Sequence, residues 1–330
     1  MKKKYIIRQA VADTNYYMND SDDSILGLDI GGTKTAVVLG SQSGEVRWRK
    51  QFSTRPERGF AIVFGELVNT VEEALEATKG NVMAISIAIG GPLDVLRGII
   101  KSPPNLPGWV NVPLKELLTE RFALPVYVEH DGNAGALAEF YFGAGKGCQN
   151  IIFITMGTGF GAGLILNGQL YRGTSDAAGE IGHIRIAEDG PWCYGKAGSL
   201  EGFGSGPGIA KLAQIMYPEI WNASATVIEV HNAYQHGSKE ARVVLERAGF
   251  YLGRGLAIIA DTLNPERIIL GGIGMRLGEA LLTPARRVFE SEALPQTAEV
   301  CEIVPAQLGE AIGDVAALCA AYDQGKLLKV

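Results

Sequence analysis

Cysteine is scarce in this chain. Four occur in 330 residues, Cys148, Cys193, Cys301 and Cys319, with no paired spacing. That argues against a disulfide framework and suits a reducing cytoplasm, where buried free thiols are ordinary. Long hydrophobic runs are missing as well. The longest, such as Val82 to Ile89, fall short of the roughly 20 residues that span a bilayer, so no membrane partner is expected. The N-terminus, Met1-Lys2-Lys3-Lys4, is basic but lacks the apolar stretch of a signal peptide. Positive charge is not in excess: the net charge is −6 and the pI near 5.4, which argues against a nucleic-acid partner. What remains is globular, at 47% hydrophobic, and long enough that two domains are the natural expectation.

Glycine, by contrast, is plentiful at 43 residues, and much of it falls in a phrase that occurs twice. The first copy is Gly27-Leu28-Asp29-Ile30-Gly31-Gly32-Thr33-Lys34-Thr35, followed by the apolar run Ala36 to Leu39. The second is Ile154-Thr155-Met156-Gly157-Thr158-Gly159-Phe160-Gly161-Ala162-Gly163, followed by Leu164 to Leu166. Each reads as a strand, a Gly/Thr turn and a returning strand. Such a turn leaves backbone N–H groups and a Thr hydroxyl outward with no Cβ in the way, so it can cradle phosphate oxygens. Two copies predict two related lobes that grip the phosphate tail of one nucleotide. The alternative is a pair of structural hairpins.

Residues 8–24 are polar and read as a flexible lead-in. Strands are predicted over 25–30, 35–40 and 45–53 as a meander, then a helix over 59–78 from apolar residues at helical spacing, and a buried strand over 82–89. Residues 93–112 are loop-rich. A helix over 113–122, a strand over 126–129 and a helix over 132–142 follow. Beyond them come strands 151–155 and 163–166, an irregular Gly-rich segment over 173–206, and helices near 207–216, 224–234, 238–263 and 275–290. Strands 267–270 and 302–305 and a helix over 311–322 complete the chain. This alternation predicts an α/β architecture with mixed sheets, and the duplication predicts a cleft between lobes. The expected division is a lead-in over 1–24, a small lobe over 25–128 with the last helix packing back on it, and a large lobe over 129–310.

Several residues suit chemistry. Asp29, beside the first glycine turn, can hold magnesium next to phosphates, directly or through water, or can cap the turn. Asp131, in Glu129-His130-Asp131-Gly132-Asn133, stands at a strand's C-terminal edge, the usual ligand crevice of α/β sheets. It can accept a proton from an attacking alcohol or act as a helix N-cap. Glu180, His183 and Glu201 lie in the Gly-rich segment, where two carboxylates and an imidazole suit a polyol. Asn105, among prolines, adds a fixed donor and acceptor.

Five motifs occur here in the order of the ROK family of sugar kinases and sugar-responsive repressors. They are Asp29 to Lys34, the Asp131 segment, Gly157 to Gly163, Gly179-Glu180-Ile181-Gly182-His183, and Asn264 to Gly272. The chain resembles that family from about residue 25 to residue 322. The resemblance implies the two-lobed actin-like ATPase fold, also called ribonuclease-H-like. It implies that Asp131 is the catalytic base and that Asn105, Glu180, His183 and Glu201 hold the sugar. Gly31, Gly32, Thr33 and Lys34 and the second turn, Gly157, Thr158, Gly159 and Gly161, would hold ATP phosphates. Gly271 and Gly272 would lie near the adenosine.

Two departures stand out. Many members carry a Cys-x-Cys-Gly-x-x-Gly-Cys-x-Glu zinc motif. Aligned on Gly195, Gly198 and Glu201, its cysteine positions hold Trp192, Tyr194 and Ser199 here, and Cys193 falls on a spacer position. A single cysteine cannot build a Cys₃His site, so zinc is not expected. The family's usual Asn before the base is His130 here, which either alters sugar preference or packs away.

The resulting expectation is an ATP- and magnesium-dependent, cytoplasmic hexose kinase, with glucose the first acceptor and a homodimer or homotetramer the expected assembly. N-acetylmannosamine, N-acetylglucosamine, mannose and fructose are alternative acceptors. A repressor is a competing expectation, disfavoured because the roughly 24 residues before the first motif are too few and too polar for the helix-turn-helix domain of such members. A sugar-binding protein without catalysis is disfavoured by the intact Asp29, Asp131 and glycine turns.

Overall fold

The structure, a computed structural model, describes residues 23–78 and 81–328. The predicted lead-in over 1–24 therefore lies outside the described residues except for 23 and 24, and residue 24 already belongs to a strand. The first half runs β1 (Ser24–Ile30), β2 (Lys34–Ser41), β3 (Val46–Ser53), α1 (Phe60–Ala77) and β4 (Val82–Ile89). A small hairpin, β5 (Leu93–Asp94) and β6 (Ile99–Ile100), leads to α2 (Leu114–Phe122), β7 (Val126–His130) and α3 (Asp131–Phe142). The second half opens with β8 (Ile151–Met156), β9 (Phe160–Leu166) and β10 (Gln169–Tyr171). Then come a hairpin, β11 (Trp192–Cys193) and β12 (Lys196–Ala197), and helices α4 (Leu200–Gly204), α5 (Gly206–Met216), α6 (Val227–Gln235) and α7 (Lys239–Leu263). The chain ends through β13 (Arg267–Leu270), α8 (Ile273–Leu277), α9 (Glu279–Glu292), α10 (Pro295–Val300), β14 (Glu302–Pro305) and α11 (Ile312–Gln324).

The duplicated phrase has a duplicated topology behind it. One five-stranded sheet has the order β3-β2-β1-β4-β7, and the other β10-β9-β8-β13-β14. In each, the strand before the glycine turn is central. It pairs antiparallel with the strand after the turn and parallel with a later one. β1 and β8 are buried almost throughout, as befits strands covered on both faces. β3 lies at a sheet edge, where Arg47, Arg49 and Lys50 keep it from pairing further.

The layers follow from which faces are apolar. Val63, Leu67 and Val71 of α1 and Leu114 and Leu118 of α2 cover the outer face of the first sheet. On the second sheet's outer face, α4, α5, α7 and α9 contribute a larger core that includes Leu200, Ile209, Leu252 and Leu281. Between the sheets lie α3 and α11, whose faces are alanine-rich. Small side chains let the two helices approach each other and both sheets; α11 touches β1, β2, β4 and β7, and α3 touches β8 and β9.

Several elements differ from the sequence reading for local reasons. β9 begins at Phe160, not at 163, because Phe160, Gly161 and Ala162 already pair with Met156, Thr155 and Ile154 of β8, and Gly163 lets the strand pack closely, since a Cβ there would stand 2.5 Å from the Gly132 carbonyl oxygen of α3. The segment 173–206 is not wholly irregular, since it contains the β11–β12 hairpin and α4. The predicted helix over 275–290 is two helices broken at Gly278, whose φ is +52°. α6 starts at Val227 under a capping box of Thr226 and Glu229. The short elements β10 and α10 carry too little periodicity to be read from sequence.

Candidate active site

The strand register assembles the first part of the site. Asp29 of β1 pairs with Ala88 of β4, which pairs with Glu129 of β7. The residues that follow each strand, Gly31, Gly90 and Asp131, therefore emerge along one sheet edge. Asn105 arrives on the proline-rich loop. A Cβ on Gly90 would stand 3.3 Å from Asn105 Nδ2 and 3.7 Å from Asp131 Oδ2, so both side chains border the same small volume. One on Gly32 would stand 2.4 Å from the Asn105 carbonyl oxygen, so that loop also abuts the first glycine turn.

Asp131 is the first residue of α3. Its Oδ1 accepts the Gly132 N–H at 2.7 Å and lies 3.1 Å from His130 Nδ1. The N-cap of α3 is His130, not Asp131: its Nδ1 also accepts the Gly132 N–H, at 3.3 Å, while Asp131 Oδ2 is directed toward Gly90 and Asn105. His130 does not leave the cleft. With Gly132, Asn133, Thr155, Asp176 and Glu180 it borders a crevice between the sheets. Asp176, unremarked in the sequence, also reaches across to the Val95 N–H at 3.4 Å.

Glu180, His183 and Glu201 come together from the Gly-rich segment and α4. His183 Nε2 is 3.9 Å from Glu180 Oε2. Glu201 Oε2 accepts the Phe160 N–H at 3.0 Å, directly after the second glycine turn. Burial raises the Glu201 carboxyl, against the Phe160 N–H and His183, with Glu180 adding to the rise. His183 is held by neighbours of this loop. Its ring lies 4.8 Å from that of Tyr194, and Lys196 Nζ donates to its carbonyl oxygen. Trp192 and Tyr194 are exposed on the β11–β12 hairpin, and Ser199 caps α4 by accepting the Gly202 N–H at 3.2 Å. Among the described residues no group of three or more His, Cys, Asp or Glu is arranged to hold a metal ion.

Each glycine turn is closed by the N–H of its first glycine, over three residues in the first turn and two in the second. Gly31 donates to the Lys34 carbonyl at 3.0 Å and Gly157 to the Gly159 carbonyl at 2.9 Å, so these two N–H groups close the turns. Those of Gly32, Thr33, Thr158 and Gly159 make no bond to another of the described residues. They are the donors left for an anion. Thr33, Lys34, Thr158 and Gly159 are exposed, and nothing lies within 4 Å of where a Cβ would stand on Gly157. Gly161 follows within β9. Thr54, buried, braces the first turn by donating its hydroxyl to the Gly31 carbonyl at 2.6 Å. Gly271 and Gly272 sit against β8. Gly272 has φ +56°, and a Cβ there would stand 2.1 Å from the Met156 carbonyl oxygen, so only glycine fits.

Asp29 lies under the first turn of α11, where a Cβ on Gly313 would stand 2.8 Å from its Oδ2. Its carboxyl is pushed up to about 6, first by burial and then by the charge of Asp131. Asp314 adds to the rise, while Lys34 and Arg49 oppose it. A hard divalent cation fits this setting, since it would relieve both the burial and the like charge.

The sequence profile of the ROK family matches residues 25–323. A glucokinase of Halalkalibacterium halodurans is 33% identical over 308 residues, covering 89% of this chain and 93% of that protein. A xylose repressor of Caldicellulosiruptor bescii is 29% identical over 290 residues, covering 84% of this chain and 72% of the repressor. Among solved structures, a ROK hexokinase from Thermus thermophilus superposes with a TM-score of 0.81 at 30% identity, covering 92% of this chain and 99% of its own. A ROK glucokinase from Streptomyces griseus, in complex with glucose and AMPPNP, has a TM-score of 0.74 at 31% identity, covering 89% and 98%. The paired five-stranded sheets have the actin-like ATPase fold of these sugar kinases. On the match across nearly the whole described chain, this protein belongs to the ROK family.

Proposed function

We propose that this ATP-dependent sugar kinase transfers the γ-phosphoryl group to the primary hydroxyl of a hexose, with glucose the first acceptor. The observation that carries the reading is the meeting of Asn105 and Asp131 Oδ2 over Gly90, beside a crevice that His130 and Glu180 border. An alcohol bound there meets a carboxylate oxygen with no competing backbone donor. Glu180, His183 and Glu201 supply acceptors and a donor for the other hydroxyls.

In this reading Asp131 Oδ2 orients the hydroxyl and takes its proton as the oxygen attacks the γ-phosphorus in line. The N–H groups of Gly32, Thr33, Thr158 and Gly159 hold phosphate oxygens, and Lys34 adds positive charge. Magnesium, when bound, would neutralise phosphate charge, and Asp29 is the carboxylate that would hold it. The lobes proposed are residues 25–128, with 311–322 packing back, and 129–310. Closure between them excludes water, the competing acceptor.

The test is ADP formation with magnesium and ATP over glucose, mannose, fructose, N-acetylglucosamine and N-acetylmannosamine. Glucose is expected to give the highest kcat/KM. Asp131→Asn should lose about 10²–10⁴-fold in kcat while still binding sugar. Near wild-type turnover by this variant would sink the assignment of the base.

A further inference from the structure

Glu129 is a carboxylate with no solvent exposure at all, two residues before Asp131. Such a charge is tolerated only when its oxygens are fully engaged, and here both are. Oε1 accepts the backbone N–H of His130 at 3.0 Å and the side-chain amide of Asn133 at 2.9 Å. Oε2 accepts from Arg172 twice, from Nε at 2.9 Å and Nη2 at 2.6 Å. Arg172 Nη2 also donates to Asp323 Oδ2 at 2.8 Å. The three charges come from three places: Glu129 from β7 of the first sheet, Arg172 from the residue after β10 of the second, and Asp323 from the last turn of α11.

One face of the Glu129 carboxylate therefore grips the backbone that delivers Asp131, together with the first turn of α3. The other face is gripped by an arginine of the opposite sheet. Among the described residues, no other ion pair joins the two sheets at the segment carrying the proposed base. Charge-assisted bonds are the stronger class of hydrogen bond, and two arginine donors converging on one oxygen, Oε2, fix direction as well as distance.

We propose that Arg172 is a positioning residue: acting through Glu129, it holds Asp131 at the distance and angle that proton transfer requires. This rests on Asp131 being the base. Arg172 touches neither sugar nor nucleotide in this scheme. Its loss should fall on kcat and leave sugar and ATP affinity nearly unchanged. A misplacement of about 1 Å at a reacting group can cost on the order of a hundredfold.

The experiment compares Arg172→Met, Arg172→Lys, Glu129→Gln and the double variant Arg172→Met/Glu129→Gln, with Asp131→Asn alongside. Each is assayed well below its melting temperature, and kcat is counted per site that binds sugar in a titration, so unfolded material does not enter. Arg172→Met should lower kcat about ten- to hundredfold, with both KM values within about threefold. Arg172→Lys, which keeps the charge but loses the fork, should recover part of the loss. The double variant should be no slower than the slower of the two single variants, because the two residues act in one chain. A kcat for Arg172→Met within twofold of wild type, or losses that multiply in the double variant, would overturn the proposal. If Asp131→Asn itself stays active, the identity of the base has failed, and that outcome is read separately.

Discussion

His130 Nδ1 stands 3.1 Å from Asp131 Oδ1, and the far edge of the same imidazole packs on Gly91, where a Cβ would stand 2.9 Å from His130 Cδ2. The ring thus touches the proposed base on one side and the loop after β4 on the other, with the crevice alongside.

That placement predicts a role in sugar choice. Imidazole is bulkier than an amide and, when neutral, offers one donor and one acceptor in fixed directions. His130→Asn is expected to change the ratio of kcat/KM between epimeric or 2-substituted hexoses more than it changes thermal stability. A ratio that stays within about twofold across the panel, equivalent to about 0.4 kcal/mol, would remove His130 from specificity.

Asp29 gives a pH-dependent prediction. Its carboxyl ordinarily titrates near 3.8 and is raised to about 6 in the folded chain. Between these values the folded protein holds a proton that the unfolded chain has released. Stability from this group therefore falls as pH rises through that window, and the cost stands in full above it. Asp29→Asn should make the ligand-free protein more stable at pH 7 by on the order of 1–3 kcal/mol, and the difference should vanish below the lower value. Urea denaturation at the two pH values measures it. The same variant should lose kinase activity through weakened magnesium–nucleotide binding; an Asp29→Asn protein less stable than wild type at pH 7 would show that burial is not the governing cost.

Glu180, His183 and Glu201 should act on sugar rather than nucleotide. A charge-assisted hydrogen bond contributes about 1.5–3 kcal/mol, roughly ten- to a hundredfold in binding. Each alanine variant should raise the sugar dissociation constant by that order and leave ATP binding within about twofold. Calorimetric titration separates the two. Glu201 is the sharpest case, because it also takes the N–H of Phe160 beside the second turn. Equal damage to both ligands would make this loop a scaffold.

Metal removal gives a fourth prediction. With Trp192, Tyr194 and Ser199 where many relatives have cysteines, and with the Tyr194 ring against His183, a strong zinc chelator followed by restored magnesium should leave sugar affinity and kcat unchanged. Elemental analysis should find no stoichiometric zinc. One tightly held zinc per chain, or activity lost to the chelator and regained with zinc, would contradict this.

The features legible in the sequence are those set by short-range physics. Apolar spacing marked the strands and long helices, because a period near 2 or 3.6 is written in consecutive residues. The glycine turns and strand-end Asp29 and Asp131 could be read for the same reason, and the repetition of the phrase announced the second sheet. Boundaries failed where strand pairing outweighed local preference. Phe160, Gly161 and Ala162 read as part of the turn but belong to β9, because they pair with Met156, Thr155 and Ile154 of β8.

The tertiary structure alone decided which distant residues meet. Arg172, an ordinary charged residue in a loop, becomes the partner of buried Glu129 only because the second sheet docks beside the first. Tyr194 comes to lie against His183 only because the β11–β12 hairpin folds back on that loop. Asp131's two oxygens take different tasks only because one sheet edge aligns Gly90 with α3 and the proline loop brings Asn105 opposite. Local sequence encodes dihedral preference and the identity of a buried face. The partners of a buried charge are chosen by how the layers pack, and that is a property of the whole chain.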